Sequence, residues 1–325
     1  MRILARPMIG LALVFMSAMA VAQVATKAPA SRIGVLLVGS PSTSTRYVEV
    51  LRESLRDYGL IDGKNVSIEP RFASGDYERL PALANELVDV NVNLIVAGSE
   101  QALLAAKKAK RPVPIVVVAC NPLEKLVGSL SRPGGNATGV TCVSSDLVGK
   151  RFSYLKAIVP NARRVAILYH GEEEASSELV GAESAGRTLG MEVMRFPVRS
   201  PSDFAPTFEK MMRENCRALY VSSSGFTNFH RQRLVDLALN HRLPAIFSSP
   251  EFVEVGGLVS YGATLSDSFK RAAYFVDRIL KGTSPKDLPV EEPTKFYLVL
   301  NAKTAAVLSI KIPEDVLLQA HTIIK

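Results

Sequence analysis

Short apolar runs alternate with amphipathic stretches along this chain, and this alternation limits the fold more than any other feature. The runs are rich in β-branched residues and almost continuously apolar, which is typical of strands buried on both faces of a parallel sheet. The stretches between them have the apolar spacing of helices, so the sequence predicts an α/β fold. Predicted strands cover residues 32–38, 65–71, 93–97, 115–119, 138–141, 165–168, 192–196, 218–221, 245–247 and 258–261.

These strands are too many for one sheet in a chain of this length, so we expect two α/β lobes. Glycine follows a predicted helix at Gly59 and Gly190, where a left-handed C-cap is needed, and a strand follows each glycine. We expect crossings between the lobes after the turn at 132–136 and its strand, after Gly262, and near Pro293, with a strand at 296–300 and a helix at 302–308 beyond it. The predicted lobes are residues 23–142 with 263–293, and residues 143–262 with 294–325.

The first 22 residues have the layout of a secretory signal peptide. Arg2 and Arg6 precede an apolar run at 8–19, which is too short to span a membrane. The small-x-small pattern at 20–22 predicts cleavage after Ala22, and no cysteine is placed to carry a lipid anchor. We therefore expect a mature protein in the periplasm with no segment in the membrane. An uncleaved anchor is the alternative.

Composition and motifs argue against several classes of function. The formal net charge is +8, but basic and acidic residues alternate, without the basic stripe of a nucleic-acid-binding protein. Catalytic and dinucleotide-binding motifs are absent from the sequence, so no enzyme activity is expected. The spacing of histidines and cysteines predicts no metal site, and we expect no cofactor. Cys120 and Cys142 are the conceivable disulfide pair, and buried thiols are the favoured alternative.

Candidate ligand-binding residues lie directly after the predicted strands, because ligands of open parallel sheets bind beyond the carboxyl ends of the strands. Most of these positions carry serine or glycine, whose hydroxyl and N–H groups suit a carboxylate or a small polar ligand. Aromatic rings among them suit an apolar ligand body. The candidates are Ser40, Ser99, Glu100, Asn121, His170, Ser224, Phe226, Ser248 and Tyr261.

Each candidate also has a purely structural interpretation. Ser40, Ser99 and Ser248 stand where helix N-caps belong, so capping alone accounts for a serine there. Packing in a lobe core accounts equally well for the larger side chains. The convergence of small polar residues at nearly every strand end is what favours a ligand site.

Five segments carry a resemblance to a known family: GLIDGKNV (59–66), YERLPALA (77–84), SRPGGNATGV (131–140), GGLVSYG (256–262) and LPVEEPTKF (288–296). With them, the chain resembles the extracytoplasmic substrate-binding proteins of ABC transporters, and within these the group of tryptophan- and tyrosine-type binding proteins. The resemblance implies two Rossmann-like lobes with parallel sheets joined by a three-strand hinge, the type I periplasmic binding protein fold. It also implies a monomer that captures a small molecule between the lobes and delivers it to an ABC transporter permease.

Two departures from the family's pattern bear on the ligand. Amino-acid-binding relatives have an acid after the strand that corresponds to 218–221, whereas this chain has Ser-Ser-Ser-Gly-Phe, and Asn121 stands where many have aspartate. A buried ammonium group without a partner costs about 3 kcal/mol or more. The sequence therefore favours an anionic or neutral ligand, such as an aromatic or short organic acid, unless Glu100, Glu172 or Glu251 supplies the charge. A periplasmic sensor for a membrane receptor and an exported enzyme are the alternative functions.

Overall fold

The computed structural model describes residues 31–119, 129–141, 145–171, 174 and 176–325. The predicted signal peptide, Cys120 and Cys142 lie outside these residues. The first part of the described chain alternates strands and helices: β1 (Ser31–Leu37), α1 (Pro41–Arg56), β2 (Val66–Phe72), α2 (Leu80–Asp89), β3 (Leu94–Ala97), α3 (Glu100–Lys107), β4 (Ile115–Ala119) and β5 (Ala137–Thr141).

These first strands form a parallel sheet in the order β2-β1-β3-β4-β5, a common doubly wound arrangement. Its inner strands β3 and β4 are buried on both faces, which explains their continuous apolar sequence. We call the part of the molecule built on this sheet lobe I.

The second part of the chain forms another sheet, which defines lobe II. Its strands lie in the order β12-β11-β10-β9-β8-β6-β7 among the described residues, and every pair is parallel except β10 with β11. The elements are α4 (Ser145–Ile158), β6 (Arg164–His170), α5 (Ser177–Thr188), β7 (Glu192–Val198), α6 (Phe204–Arg213), β8 (Ala218–Val221), α7 (Gly225–Phe229), α8 (Arg231–Asn240), β9 (Ala245–Phe247), α9 (Pro250–Glu254), β10 (Val259–Gly262), α10 (Leu265–Leu280), β11 (Tyr297–Asn301), α11 (Ala302–Val307), α12 (Glu314–Gln319) and β12 (Thr322–Ile324).

Each predicted strand is present to within two residues at either end, so the α/β prediction is confirmed. The C-cap prediction is confirmed as well, since Gly59 and Gly190 have φ of 75° and 67°. Periodicity did not identify α4, α10 or β12. It also did not show that β11 runs antiparallel to β10, because the direction of a strand depends on where the preceding connection crosses the sheet.

Helix α10 packs in lobe I although it follows strands of lobe II. Its Phe269 ring stacks on Tyr47 of α1 with centroids 5.3 Å apart, and Phe275 and Val276 are buried in the same cluster. Burial of each such side chain contributes roughly 1.5–3 kcal/mol, which holds the helix on this sheet. The chain therefore returns to lobe I directly after β10.

The last passage to lobe II runs beside β5. The Glu291 N–H donates to the Gly139 carbonyl and the Thr141 N–H donates to the Glu291 carbonyl, both at 2.9 Å. The chain then enters β11 in lobe II. No helix in the described part of the chain is both long and apolar enough to cross a bilayer.

Candidate functional site

A narrow cavity of about 40 Å³ lies between the two lobes. Lobe I contributes the residues that follow β3, and lobe II contributes those that follow β8 and β9, so the carboxyl ends of both sheets meet there. The lining residues are Gly98, Ser99, Glu100, Gln101, Val118, Ser223, Ser224, Gly225, Asn228, Ser248, Ser249, Phe252 and Leu265.

Two of the lining serines also cap helices. Ser99 Oγ accepts the Ala102 N–H at 3.0 Å at the start of α3, and Ser224 Oγ accepts the Thr227 N–H at 3.1 Å at the start of α7. Capping and lining are therefore not alternatives here, since the same side chains do both. Because the Ser99 oxygen accepts the capping bond, its hydroxyl hydrogen is left to donate towards an oxygen of a ligand.

The structure brings together Ser99, Glu100, Ser224 and Ser248 of the predicted residues on this cavity. Ser40 instead caps α1, where its N–H donates to Thr43 Oγ1 at 3.1 Å. Asn121 lies outside the described residues.

Tyr261 lies on β10 and not on the cavity. Its ring packs against those of Tyr154 and Phe296, with centroids 5.2 and 6.2 Å away. The side chain therefore belongs to the core of lobe II.

His170 and Phe226 contact the opposite lobe rather than this cavity. Tyr77 of lobe I places its ring 5.0 Å from the His170 ring and 6.3 Å from the Phe226 ring. The Tyr77 hydroxyl oxygen also accepts the Phe226 N–H at 2.9 Å. These contacts hold the lobes together beside the cavity, in a closed arrangement.

A second cavity, of about 30 Å³, adjoins the first. The two share Gly98, Gly225, Asn228 and Leu265, so together they form one divided cleft. The walls of the second cavity are more aromatic, which suits an apolar ligand body. They include Tyr47, Phe229 and Phe269.

An arginine of lobe I adds a charged contact between the lobes. Arg46 Nη1 lies 3.0 Å from Glu254 Oε2, and its Nη2 lies 3.8 Å from Glu251 Oε1. Arg46 also donates to the hydroxyl of Tyr47, which lines the second cavity. The charged contact therefore lies next to the cleft.

The sequence model of one family, described as ABC transporter substrate binding protein, matches residues 32–324. The chain belongs to this family. Its members are extracytoplasmic proteins that bind small molecules for ABC transporters.

Two proteins with named ligands are similar to this binding protein. It is 25% identical over 262 residues to a tyrosine-binding protein of Clostridioides difficile (strain R20291), covering 80% of this chain and 75% of the relative. It is 26% identical to an ABC domain from Streptococcus pneumonia solved in complex with L-Trp, with a TM-score of 0.83 over 90% of this chain and 99% of that one. The resemblance to the tryptophan- and tyrosine-type group is confirmed.

A more distant structure shows the fold. A leucine-binding protein from Thermotoga maritima is 18% identical and superposes with a TM-score of 0.55, covering 77% of this chain and 83% of that one. The binding protein thus has the type I periplasmic binding protein fold with two α/β lobes, as the resemblance implied.

Glu100 and Glu251 are two of the carboxyl groups considered as partners for a ligand ammonium group, and their surroundings differ. Glu100 lines the first cavity, at the first position of α3. Glu251 is 3% exposed, and its Oε1 accepts the Leu265 N–H at 3.2 Å. Burial raises the pKa of Glu251, opposed in part by hydrogen bonds and by the Arg46 charge. Glu172 lies outside the described residues.

A third carboxyl group of the binding protein lies beneath the serine loop that follows β8. Glu178 accepts the Ser223 N–H and is buried with Arg151 and Tyr220. Burial raises the pKa of Glu178, and the Arg151 charge, the Tyr220 hydroxyl and the Ser223 N–H oppose this rise. Glu178 thus binds the backbone of the serine loop from inside lobe II.

Sequence reasoning missed two sets of residues of the binding protein. Asn228 and Phe252 line the cavity from within the helices after β8 and β9, beyond the residues that directly follow each strand. Arg151 and Glu178 belong to the buried group, and the available signal was a charged residue on an apolar helix face. Arg151, for example, lies four residues from each of the buried Leu147 and Leu155, on the same face of α4.

Proposed function

We propose that this protein captures a small carboxylate ligand between its lobes and delivers it to the permease of an ABC transporter. The observation that carries this proposal is the cavity between the lobes, which is lined by residues of both. A ligand that contacts both lobes stabilises the closed form over any open form, and this difference in affinity is what a transporter can recognise. Ser99, Ser224 and Ser248 are the proposed contacts of the ligand carboxylate, and Glu100 is the proposed contact of the rest of the ligand.

The chemistry of the lining supports an anionic or neutral ligand. The residues after β8 offer hydroxyl and N–H groups and no carboxylate, and Glu178 beneath them is already paired with Arg151. Donors of this kind match carboxylate oxygens. The aromatic walls of the adjoining cavity suit a ring, so an aromatic acid matches both parts of the cleft.

An α-amino acid is the second candidate, and two observations favour it. The two relatives are described as binding tyrosine and in complex with L-Trp. Glu100 also lines the cavity, where its carboxylate can pair with an ammonium group.

Calorimetric titration with four compounds separates these ligands. They are L-tyrosine, L-tryptophan and their deaminated counterparts, the corresponding arylpropionates. Equal or tighter binding of the deaminated acids is the result expected for an anionic ligand. The choice of an anionic ligand is overturned if the wild type prefers the amino acids and Glu100→Gln loses this preference. Glu86→Gln on the outer helix α2 is the control and should keep it. If none of the four binds and native mass spectrometry of the purified protein shows no small molecule, the capture of aromatic acids fails.

The same proposal includes the processing, the location and the lobe boundaries of the protein. The signal peptide is cleaved after Ala22, the mature protein works in the periplasm as a monomer, and it catalyses no reaction. Lobe I comprises residues 23–142 and 263–293, and lobe II comprises residues 143–262 and 294–325. Mass spectrometry of the periplasmic protein tests the cleavage, since a chain that begins at Met1 contradicts it. Recovery of the candidate ligand unchanged after incubation tests the absence of turnover.

A further inference from the structure

Three side chains that approach one another inside lobe II are almost completely shielded from solvent. Arg151 of α4 is 1% exposed, Glu178 of α5 is 4% exposed and Tyr220 of β8 is fully buried. Arg151 Nη1 donates to the Tyr220 oxygen at 2.9 Å and lies 3.5 Å from Glu178 Oε1, while the Tyr220 hydroxyl donates to the same carboxylate oxygen. We call this group the buried triad.

The triad carboxylate holds the loop that follows β8. The Ser223 N–H lies 3.3 Å from Glu178 Oε1 and 3.2 Å from Oε2, so one carboxylate fixes this backbone group. Ser223 and the neighbouring Ser224 both line the cavity. The direction in which this loop presents its hydroxyls therefore depends on Glu178.

The triad guanidinium holds the ends of two further strands. Arg151 Nη2 donates to the Ser248 carbonyl at 3.4 Å, and its Nε donates to the Tyr261 carbonyl at 2.8 Å. Ser248 lines the cavity after β9, whereas Tyr261 lies just before the chain leaves lobe II for α10. One side chain thus joins a cavity wall to a crossing between the lobes.

The close packing of these strand ends leaves little space for adjustment. A Cβ atom placed on Gly262 would lie 2.0 Å from the Ser248 carbonyl oxygen and 3.2 Å from Arg151 Nη2. The backbones of β9 and β10 therefore approach each other at the point where Arg151 binds them.

Stability alone does not account for the triad. Well-packed apolar residues of similar volume commonly match or exceed a buried ion pair in stability, because the two charges must first leave water. Apolar side chains, however, can neither accept the Ser223 N–H nor donate to the Ser248 and Tyr261 carbonyls. The charged side chains of Arg151 and Glu178 therefore orient these backbone groups, which apolar side chains cannot do.

We propose that Arg151 and Glu178 are positioning residues, which orient the cavity-lining ends of β8 and β9 and link them to the crossing after β10. This role rests on the proposed function, because it assumes that the serine loop contacts the ligand. Neither side chain lines the cavity, so both act through the backbone of other residues.

The test compares the wild type with the double variant Arg151→Met/Glu178→Leu, which removes both charges together. We expect the variant to fold and its Kd for L-tyrosine or the matching arylpropionate to rise about tenfold to hundredfold, the cost of losing charge-assisted hydrogen bonds. Leu87→Ala on helix α2 of lobe I is the matched control, since it lowers stability without touching the loop and should leave Kd unchanged. A double variant that binds as the wild type does overturns the proposal.

A second readout does not require a ligand. In spectra of protein labelled with ¹⁵N-serine, the Ser223 amide, assigned with Ser223→Ala, should shift and lose protection from hydrogen exchange in the double variant only. An unchanged Ser223 amide contradicts the positioning role, whether or not a probe binds the wild type. If no probe binds the wild type, the proposed function fails, and the Ser223 amide still tests the positioning role.

Should the double variant not fold, Glu178→Gln replaces it. This change keeps the size of the side chain and removes its charge and one acceptor oxygen of the Ser223 N–H, so a smaller rise in Kd and a smaller shift of the Ser223 amide are expected. No change in either measurement overturns the proposal.

Discussion

The Tyr77 hydroxyl oxygen accepts the Phe226 N–H at 2.9 Å, and this bond joins lobe I to lobe II beside the cleft. Both residues belong to a cluster of rings that includes His170. Because the bond runs between the lobes, it exists only when they are closed. The closed form is therefore stabilised by the protein's own groups as well as by a ligand.

Tyr77→Phe removes the acceptor and keeps the ring. Loss of one such hydrogen bond costs about 0.5–1.5 kcal/mol, so ligand affinity should fall roughly twofold to tenfold as closure becomes less favourable. Calorimetry gives the affinity, and small-angle scattering gives the change in the open fraction. Tyr274→Phe on α10 is the control, and equal affinities for both variants would contradict the role of the bond.

Glu251→Gln tests the buried carboxyl beside the cleft. Burial raises the pKa of Glu251 in the folded chain, so the carboxyl contributes stability below its ordinary pKa of 4.5, and this contribution is lost as pH rises through the folded value. The neutral amide does not have this loss. We expect the variant to have the higher Tm at pH 7, with the difference shrinking towards pH 4.

Glu254→Gln is the control for Glu251→Gln. Its side chain also pairs with Arg46 but is 54% exposed, and exposed pairs contribute about 0–1 kcal/mol. The same pH dependence in both variants would show that burial is not the cause.

His230 makes the stability of the folded chain depend on pH below neutral. Burial, with a smaller contribution from Arg233, lowers the pKa of His230 to about 4 in the folded chain. Between pH 6.5 and 4 the unfolded chain binds a proton that the folded chain does not, so stability falls as pH falls through this window.

His230→Gln should remove this part of the pH dependence. The loss of unfolding free energy between pH 7 and pH 5 should be smaller in the variant by about 1 kcal/mol, a value reduced because the ring is partly exposed. Urea unfolding at a series of pH values measures it, with pH 8 as the internal reference. Parallel curves for the two proteins would disprove the effect.

Gly262→Ala tests the close approach of β9 and β10. The added methyl group would lie 2.0 Å from the Ser248 carbonyl oxygen, so the strands must separate. Overpacking of this kind costs about 1–3 kcal/mol, and ligand affinity should fall with it. Gly149→Ala in helix α4, where an added Cβ has nothing within 4 Å, should instead leave stability equal or slightly higher. A Gly262→Ala protein as stable as the wild type would show that the strands are free to move.

The fold could be predicted from sequence because local patterns determine it. Continuous apolar runs such as residues 115–119 become strands buried on both faces, and a glycine after a helix marks its end at Gly59. The crossing expected after Gly262 assigns residues 263–293 to lobe I, but periodicity did not identify helix α10 within them. The partner of this helix is seen only in contacts such as Tyr47 with Phe269.

The site could be predicted only in part. The strand-end rule locates Ser99, Ser224 and Ser248 at the cleft, because the carboxyl ends of parallel strands share an edge. The same rule includes Tyr261, which packs in a lobe core, since it does not show which way a side chain points. The distance between Arg151 and Glu178 depends on how α4 and α5 pack, and no local pattern contains it.

The return of α10 to lobe I has a consequence for synthesis on the ribosome. The sheet of lobe I is complete at Thr141, yet helix α10, whose Phe269 covers Tyr47, is not complete until residue 280. Lobe II strands up to β10 are translated in the interval. Until α10 is translated, the nascent chain carries an uncovered apolar face on the sheet of lobe I. A chaperone that holds chains unfolded has a binding surface there during this interval.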